Sequence, residues 1–225
     1  MSDSPAPDAP AFRPPAPQPC TIDGPAGPLE ARVEDPRADD VPAAVVGVVC
    51  HPHPLFGGTM QNKVVHTVAR AMQEAGAPTV RFNFRGVGAS GGEHAHGIGE
   101  VDDALAVIEW ARRHWRCERL WLAGFSFGAA VALQASQSAR PARLITVAPP
   151  VGRIITQPVA HPACPWLIVQ GDRDELVDCA TVLRWADAYA ADRPQVVVMR
   201  DAEHFFHGRL GELRTVVLQF LASGA

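Results

Sequence analysis

The chain has 225 residues, of which 47% are hydrophobic and 20% charged, and its formal net charge at pH 7 is −4. These values are typical of one soluble globular domain and give no reason to expect nucleic acid or a membrane surface as a partner. Five scattered cysteines without a Cys-x-x-Cys pair favour reduced thiols in a cytoplasmic protein. The N-terminus also lacks the basic start and apolar core of a secretion signal.

Residues 1–19 differ in composition from the rest of the chain, because seven of them are proline. Proline cannot donate a backbone hydrogen bond, and this segment has too few apolar side chains to form a core. We therefore predict a flexible or polyproline-like arm over residues 1–19 and a single folded domain over residues 20–225. A docking segment for a partner protein is the alternative interpretation of the arm.

From residue 20 onward, patterns typical of strands and helices alternate. Two short strands are predicted within 20–35, then strands at 43–50, 79–84, 119–124, 143–147, 166–170 and 195–199. Helices are predicted at 60–75, 97–114, after Ser126, at 176–190 and at about 208–221. This alternation predicts an α/β fold, a mostly parallel eight-stranded sheet with helices on both faces. Ligands of such sheets bind beyond the carboxyl ends of the strands.

The stretch Gly124-Phe-Ser-Phe-Gly128 has the pattern Gly-x-Ser-x-Gly between an apolar run and an alanine-rich helical run. A serine on a tight strand-to-helix turn is held in a strained conformation with its hydroxyl exposed. The flanking glycines allow the chain to pass close to itself. Ser126 is therefore the candidate nucleophile, and a structural turn with a solvated serine is the alternative.

A serine nucleophile needs a base and a group that orients the base. Asp174 follows the strand 166–170, and His204 follows the strand 195–199. The order serine, acid, histidine is the order of the α/β-hydrolase arrangement. His207 is a second candidate base, and the acidic residues around Asp174 include candidate helix caps.

The loop after strand 43–50 reads His51-Pro-His-Pro-Leu-Phe-Gly-Gly58. Such a loop supplies the second donor of an oxyanion hole. Because the prolines cannot donate, we expect the N–H of Leu55, with that of His53 as the alternative, beside the N–H of Phe127. His51 and His53 could instead bind a metal ion, as could His94 and His96, but no further ligands follow at metal-site spacing. No metal and no cofactor are therefore expected.

Three motifs together resemble those of small bacterial predicted α/β-hydrolases. They are His51–Gly58, the segment Arg81–Gly92 (Arg-Phe-Asn-Phe-Arg-Gly-Val-Gly-Ala-Ser-Gly-Gly) and Gly124–Gly128. The resemblance spans roughly residues 20–222. It implies a carboxylesterase-like serine hydrolase with Ser126, Asp174 and His204 as the catalytic triad and a small acyl ester or thioester as substrate.

The connection from residue 148 to 165 is too short and too rich in proline to hold a substantial cap. We therefore expect an open site, and a homodimer that covers exposed apolar surface is possible. Candidate walls of the site are Phe56, Phe125, Pro149 and Phe205, together with Leu55, Phe127, Pro150 and Phe206. A serine peptidase of the same fold and a non-catalytic binding protein on a hydrolase scaffold remain as alternatives.

Overall fold

The computed structural model describes residues 12–13, 15–37, 42–157, 159–189 and 193–223. The described strands are β1 (Gln18–Gly24), β2 (Gly27–Glu34), β3 (Val46–Cys50), β4 (Thr79–Phe82), β5 (Leu120–Phe125), β6 (Arg143–Val147), β7 (Trp166–Gly171) and β8 (Gln195–Met199). The described α-helices are α1 (Lys63–Glu74), α2 (Ile98–Trp115), α3 (Phe127–Ala139), α4 (Cys179–Asp187) and α5 (Leu210–Ala222). Most of the predicted arm lies outside the described residues. Strand β1 nevertheless includes Gln18 and Pro19, which we assigned to the arm.

The strands form one sheet in the order β1-β2-β4-β3-β5-β6-β7-β8. β1 pairs with β2 and β2 pairs with β4 in antiparallel fashion, whereas all other pairs are parallel. The predicted mostly parallel sheet of eight strands is therefore confirmed. Because β3 and β5 to β8 run in the same direction, the loops that follow them meet at one edge of the sheet.

The sheet is buried on both faces, and its two central strands, β3 and β5, contain only apolar residues. Leu120 and Leu122 of β5 pack into the cluster formed with α2, α3 and α4, and Trp121 and Ala123 pack into the cluster with α1 and α5. Alternate side chains of a strand point to opposite faces, so a continuous apolar run needs a helical layer on each side. Full burial of each such leucine contributes about 1.5–3 kcal/mol.

The helices begin or end a few residues from the predicted bounds. The largest difference is α4, which spans Cys179–Asp187 rather than 176–190 and is thus three residues shorter at each end. The side chain of Asp178 accepts the N–H of Thr181 and caps this helix, a role considered for the acidic residues of this loop. The preceding residues form a turn around Asp174 instead of helix.

No helix is described between β6 and β7. The segment contains a turn closed by a bridge between Val151 and Ile155. Within the described residues there is therefore no substantial cap over the carboxyl edge of the sheet, as predicted. All five cysteines are free. None of the described helices is both long enough and apolar enough to cross a membrane.

Polar residues of the second motif fix the loops next to this edge. Arg81, on β4, forms a buried ion pair with Glu34 of β2 at 2.5 Å, and its Nη1 donates to the carbonyl of Met60 at 2.7 Å. Arg85 pairs with the buried carboxylate of Asp103 on α2 at 2.7 Å. These contacts tie the ends of β4 to the loop before α1 and to α2.

Replacing Arg81 with methionine should destabilise the fold strongly, because the carboxylate of Glu34 would stay buried without a partner. A loss of about 3–5 kcal/mol in the free energy of unfolding is expected from urea denaturation. The matched control is Arg113→Met, which removes an exposed pair with Glu109 and should cost less than about 1 kcal/mol. Equal losses in the two variants would contradict the structural role of the buried pair.

Candidate active site

Ser126 lies on the turn between β5 and α3 with φ 53° and ψ −119°. This is a strained conformation for a residue with a side chain. A Cβ atom on Gly124 would overlap the carbonyl oxygen of Gly128, and one on Gly128 would overlap that of Cys50. Both glycines are therefore required by close approach of the backbone. The turn holds the serine hydroxyl at the amino end of α3.

The structure brings Ser126, His204 and Asp174 together from three separate loops. His204 Nε2 lies 3.1 Å from Ser126 Oγ, and His204 Nδ1 lies 2.8 Å from Asp174 Oδ2. In the tautomer that suits both contacts, Nδ1–H donates to the carboxylate and Nε2 accepts from the serine hydroxyl. The side chains of His204 and Asp174 are 2% and 0% exposed.

Four donors surround the carboxylate of Asp174. Besides His204, they are the backbone N–H groups of Leu176 and Val177, at 2.9 and 2.8 Å, and Nε2 of Gln170, at 3.0 Å. Burial acts to raise the pKa of Asp174, but the hydrogen bonds and charge of His204 and the two backbone donors outweigh it and lower the pKa. Asp174 is thus held as a carboxylate in a fixed orientation.

The imidazole of His204 is fixed from several sides. The ring of Phe125 lies beneath it, and the ring of Phe205 meets it edge-on, both with centroids 5.1 Å away. Its backbone N–H donates to Glu175 Oε2 at 3.1 Å. His207, the second candidate base, is exposed and contacts Glu203 instead.

The first motif forms the wall opposite His204. His53 caps a single 3₁₀ turn, Pro54–Phe56, and its Nδ1 accepts the N–H of Leu55 at 3.3 Å. The expected donor, Leu55 N–H, is therefore engaged locally, and the residue is 66% exposed. The N–H of His53 has no acceptor within the described part of the chain, and neither has that of Phe127 at the start of α3.

His51 has a structural role. Its Nε2 accepts the N–H of Phe84 at 3.0 Å, so its Nδ1 carries the proton and donates to the carbonyl of Pro52 at 2.6 Å. Burial is the largest influence and lowers the pKa of His51 to about 4. The neutral ring joins the loop after β3 to the loop after β4.

A cavity of about 450 Å³ opens in front of Ser126. Its described lining residues are His53, Phe56, Ser126, Phe127, Pro150, Arg153, Ile154, Leu176, Val177 and His204.

Of the predicted walls, Phe56, Phe127 and Pro150 line this cavity, and the others do not. Phe125 is buried in the core below His204, because its side chain on β5 points to the face of the sheet that α1 and α5 cover. Pro149 is buried, and Phe205 contacts the outer edge of the imidazole. The structure therefore gives no support to Phe125, Pro149 and Phe205 as cavity walls.

His94, considered above with His96 as a possible metal-binding pair, is largely buried. Its side chain is 10% exposed, lies 2.8 Å from Glu100 and packs against His53 with ring centroids 5.2 Å apart. His96 is exposed. Among the described residues, no three potential ligands converge in the way a metal site requires.

The roles of several residues of the site were not predicted from the sequence. Gln170 orients Asp174, Glu175 holds the backbone of His204, and Arg153 enters the cavity from the segment between β6 and β7. Gln170 had a usable signal, because it is a polar residue at the end of an apolar strand. Nothing in the pattern around Arg153 distinguished it from other surface arginines.

Residues 47–161 match the sequence profile of the family described as serine aminopeptidase, S33. An uncharacterised protein of Rickettsia prowazekii is 32% identical over 210 residues, which cover 89% of this chain and 87% of that protein.

Two solved bacterial structures are similar over almost their whole length. One, from Xanthomonas campestris, is described as an α/β serine hydrolase without a lid; it is 45% identical with a TM-score of 0.85, covering 95% of this chain and 96% of its own. The other, from Coxiella burnetii, is described as an α/β serine hydrolase homologue; it is 46% identical with a TM-score of 0.85, covering 91% and 97%. The predicted α/β-hydrolase fold is therefore confirmed.

The pKa of His51 generates a pH dependence of stability. In the folded protein the pKa is about 4 instead of 6.5, so between these values the unfolded chain binds a proton that the folded chain does not. Stability should therefore decrease as the pH falls from 6.5 towards 4, by on the order of 3 kcal/mol in total. The measurement is urea denaturation between pH 7.5 and 4.5.

His51→Gln is the control, because the amide oxygen can accept the N–H of Phe84 without titrating. The stability difference between wild type and this variant should shrink as the pH falls through the window. A constant difference would show that His51 is not held neutral by the fold.

Proposed function

The chain belongs to the serine aminopeptidase S33 family of α/β-hydrolases, and on that premise we propose that it cleaves small carboxylic esters or thioesters, with Ser126 as the nucleophile. The observation that carries this proposal is the linked set of contacts from Ser126 Oγ through His204 to Asp174, at 3.1 and 2.8 Å. A nucleophile, its base and the group that orients the base need this arrangement.

In the proposed reaction, Ser126 Oγ forms a bond to the carbonyl carbon of the substrate while its proton passes to His204 Nε2. The lowered pKa of Asp174 keeps it ionised, and its charge stabilises the imidazolium that forms. Collapse of the tetrahedral intermediate breaks the bond to the alcohol or thiol, which takes the proton from Nε2. Water, deprotonated by His204, then releases the acid from Ser126 by the same steps.

The oxyanion of the intermediate needs backbone donors that are free and point to one place. In our proposal these are the N–H groups of Phe127 and His53. Neither donates within the described structure, and both residues line the cavity beside Ser126. His53 thus replaces Leu55, whose N–H is engaged by the His53 side chain.

An aminopeptidase is the second candidate, because it is the activity in the family's description. Such an enzyme must hold the ammonium group of its substrate, which calls for a carboxylate or several acceptors near the nucleophile. No carboxylate is among the described lining residues, and their charged or chargeable groups are His53, Arg153 and His204. These groups disfavour a cationic substrate, so the ester or thioester is the better supported choice.

A binding protein on a hydrolase scaffold is less well supported. The conformation of Ser126 costs on the order of 1–3 kcal/mol and persists only where the surroundings impose it. The carboxylate of Asp174 also accepts four separate donors. A surface that only bound a ligand would have no use for these features.

Hydrolysis of 4-nitrophenyl butyrate tests the assignment of the nucleophile. Ser126→Ala should lower kcat by a factor of about 10⁴ or more, because no acyl-enzyme can form. The control is Ser138→Ala, an exposed serine of the same helix, which should keep the wild-type rate. If wild type hydrolyses this ester no faster than it hydrolyses leucine 4-nitroanilide, the result would instead support the aminopeptidase.

The second oxyanion donor can be tested by comparing His53→Pro with His53→Ala. The φ of His53 is −55°, which proline can adopt, so only the first variant removes the backbone N–H. Both variants lose the imidazole, and the ratio of their rates isolates the donor. His53→Pro should be slower than His53→Ala by a factor of about 10²–10³ in kcat. Equal rates would exclude the His53 N–H as the donor.

A further inference from the structure

The cavity in front of Ser126 has an unbalanced charge. Apart from six apolar residues, its described lining consists of Ser126, His53, His204 and Arg153, without any Asp or Glu. Arg153 alone in this set is cationic at every physiological pH. The whole chain, in contrast, has a formal net charge of −4. A permanent positive charge at the catalytic cavity is therefore a local feature.

Arg153 is held in a defined place although it is exposed. Its backbone N–H and that of Ile154 both donate to the carbonyl of Pro150, at 3.2 and 2.9 Å. Its Nη1 donates to the carbonyl of Leu176 across the cavity at 2.9 Å. The guanidinium thus spans the gap between the β6–β7 connection and the loop that carries Asp174.

Most of the hydrogen-bonding capacity of this guanidinium is unused. Arginine has five N–H donors, and the only side-chain hydrogen bond of Arg153 among the described residues is the one to Leu176. It forms no ion pair with any described carboxylate, whereas Arg81 and Arg85 near the same edge of the sheet both do.

Three of the four acidic residues of the neighbouring loop are engaged elsewhere, and the fourth, Asp172, forms no ion pair with Arg153 among the described residues. Asp174 is bound by His204, and Glu175 accepts the backbone N–H of His204. Asp178 caps α4 and lies 3.9 Å from Arg184. The guanidinium therefore remains available to a ligand in the cavity.

We propose that Arg153 determines specificity by binding an anionic group of the substrate. The preferred substrates are then esters or thioesters that carry a carboxylate or a phosphate a short distance from the bond that is cleaved. A planar guanidinium suits both groups, because each accepts two parallel N–H donors. The inference rests on the proposed function, since it concerns the same cavity and the same nucleophile.

Three matched esters test the proposal. They are 4-nitrophenyl hydrogen adipate, with a terminal carboxylate; its methyl ester, which is neutral; and 4-nitrophenyl 5-phosphonooxypentanoate, with a terminal phosphate. The measured quantity is the ratio of kcat/KM for each charged ester to that for the neutral one. Wild type should prefer at least one charged ester, and which one it prefers distinguishes the carboxylate from the phosphate.

Arg153→Gln should lower this ratio about tenfold, as expected for the loss of a charge-assisted hydrogen bond. Arg153→Lys should retain part of the preference, because it keeps the charge but not the planar fork. The control is Arg119→Gln, an exposed arginine just before β5, at the opposite end of that strand from Ser126. It removes the same charge and should leave the ratio unchanged. Added salt should weaken the preference of wild type but not of Arg153→Gln.

The possible failures are distinguishable. If wild type hydrolyses the neutral ester but shows the same ratios as Arg153→Gln, the role of Arg153 is overturned and the proposed function stands. If Arg119→Gln lowers the ratio as much as Arg153→Gln, the effect belongs to the overall charge, and the inference is likewise overturned. If wild type hydrolyses none of the three esters, the proposed function fails and the inference fails with it.

Discussion

The close approach of the backbone around Ser126 is the constraint on which the rest of the site depends. Gly124 and Gly128 leave room for the chain to fold back on itself and against the end of β3. Because β3 and β5 are neighbours in the sheet, the same contact brings the His51–Gly58 loop beside the serine. The positions of the free N–H groups of Phe127 and His53 therefore result from the packing of β3, β5 and α3 alone.

A second principle is that the buried carboxylates near this edge are almost all committed to structural partners. Glu34 pairs with Arg81, Asp103 pairs with Arg85, and Glu100 accepts two backbone N–H groups of the residues just before α2. Burying a charge is costly unless it is paired. Because these carboxylates are paired with their own partners, they contribute no negative charge to the cavity lining. The cavity is left with an imidazole pair and one guanidinium. The positive charge of the cavity is thus a consequence of the ion pairs and hydrogen bonds that hold the surrounding loops in place.

Sequence reasoning worked where a local pattern carries a physical requirement. The continuous apolar run 43–50 indicated a strand covered on both faces, and the glycines around Ser126 indicated a tight turn. It was less successful where the outcome depends on orientation. Phe125 lies next to the serine in sequence, but its side chain packs under α1 and α5 and does not line the cavity. Arg153 reaches the cavity because of the path that the connection between β6 and β7 takes. Likewise, the donor assigned to Leu55 depended on the direction in which the His53 side chain turns.

Whether Ser126 is an activated nucleophile can be measured by its reaction with a fluorophosphonate, followed by intact-mass and peptide mass spectrometry. We expect one adduct per wild-type chain, located on Ser126, and strongly reduced labelling in folded His204→Ala because the base is missing. Labelling of wild type at another residue, or none in protein shown to be folded, would contradict this role of Ser126.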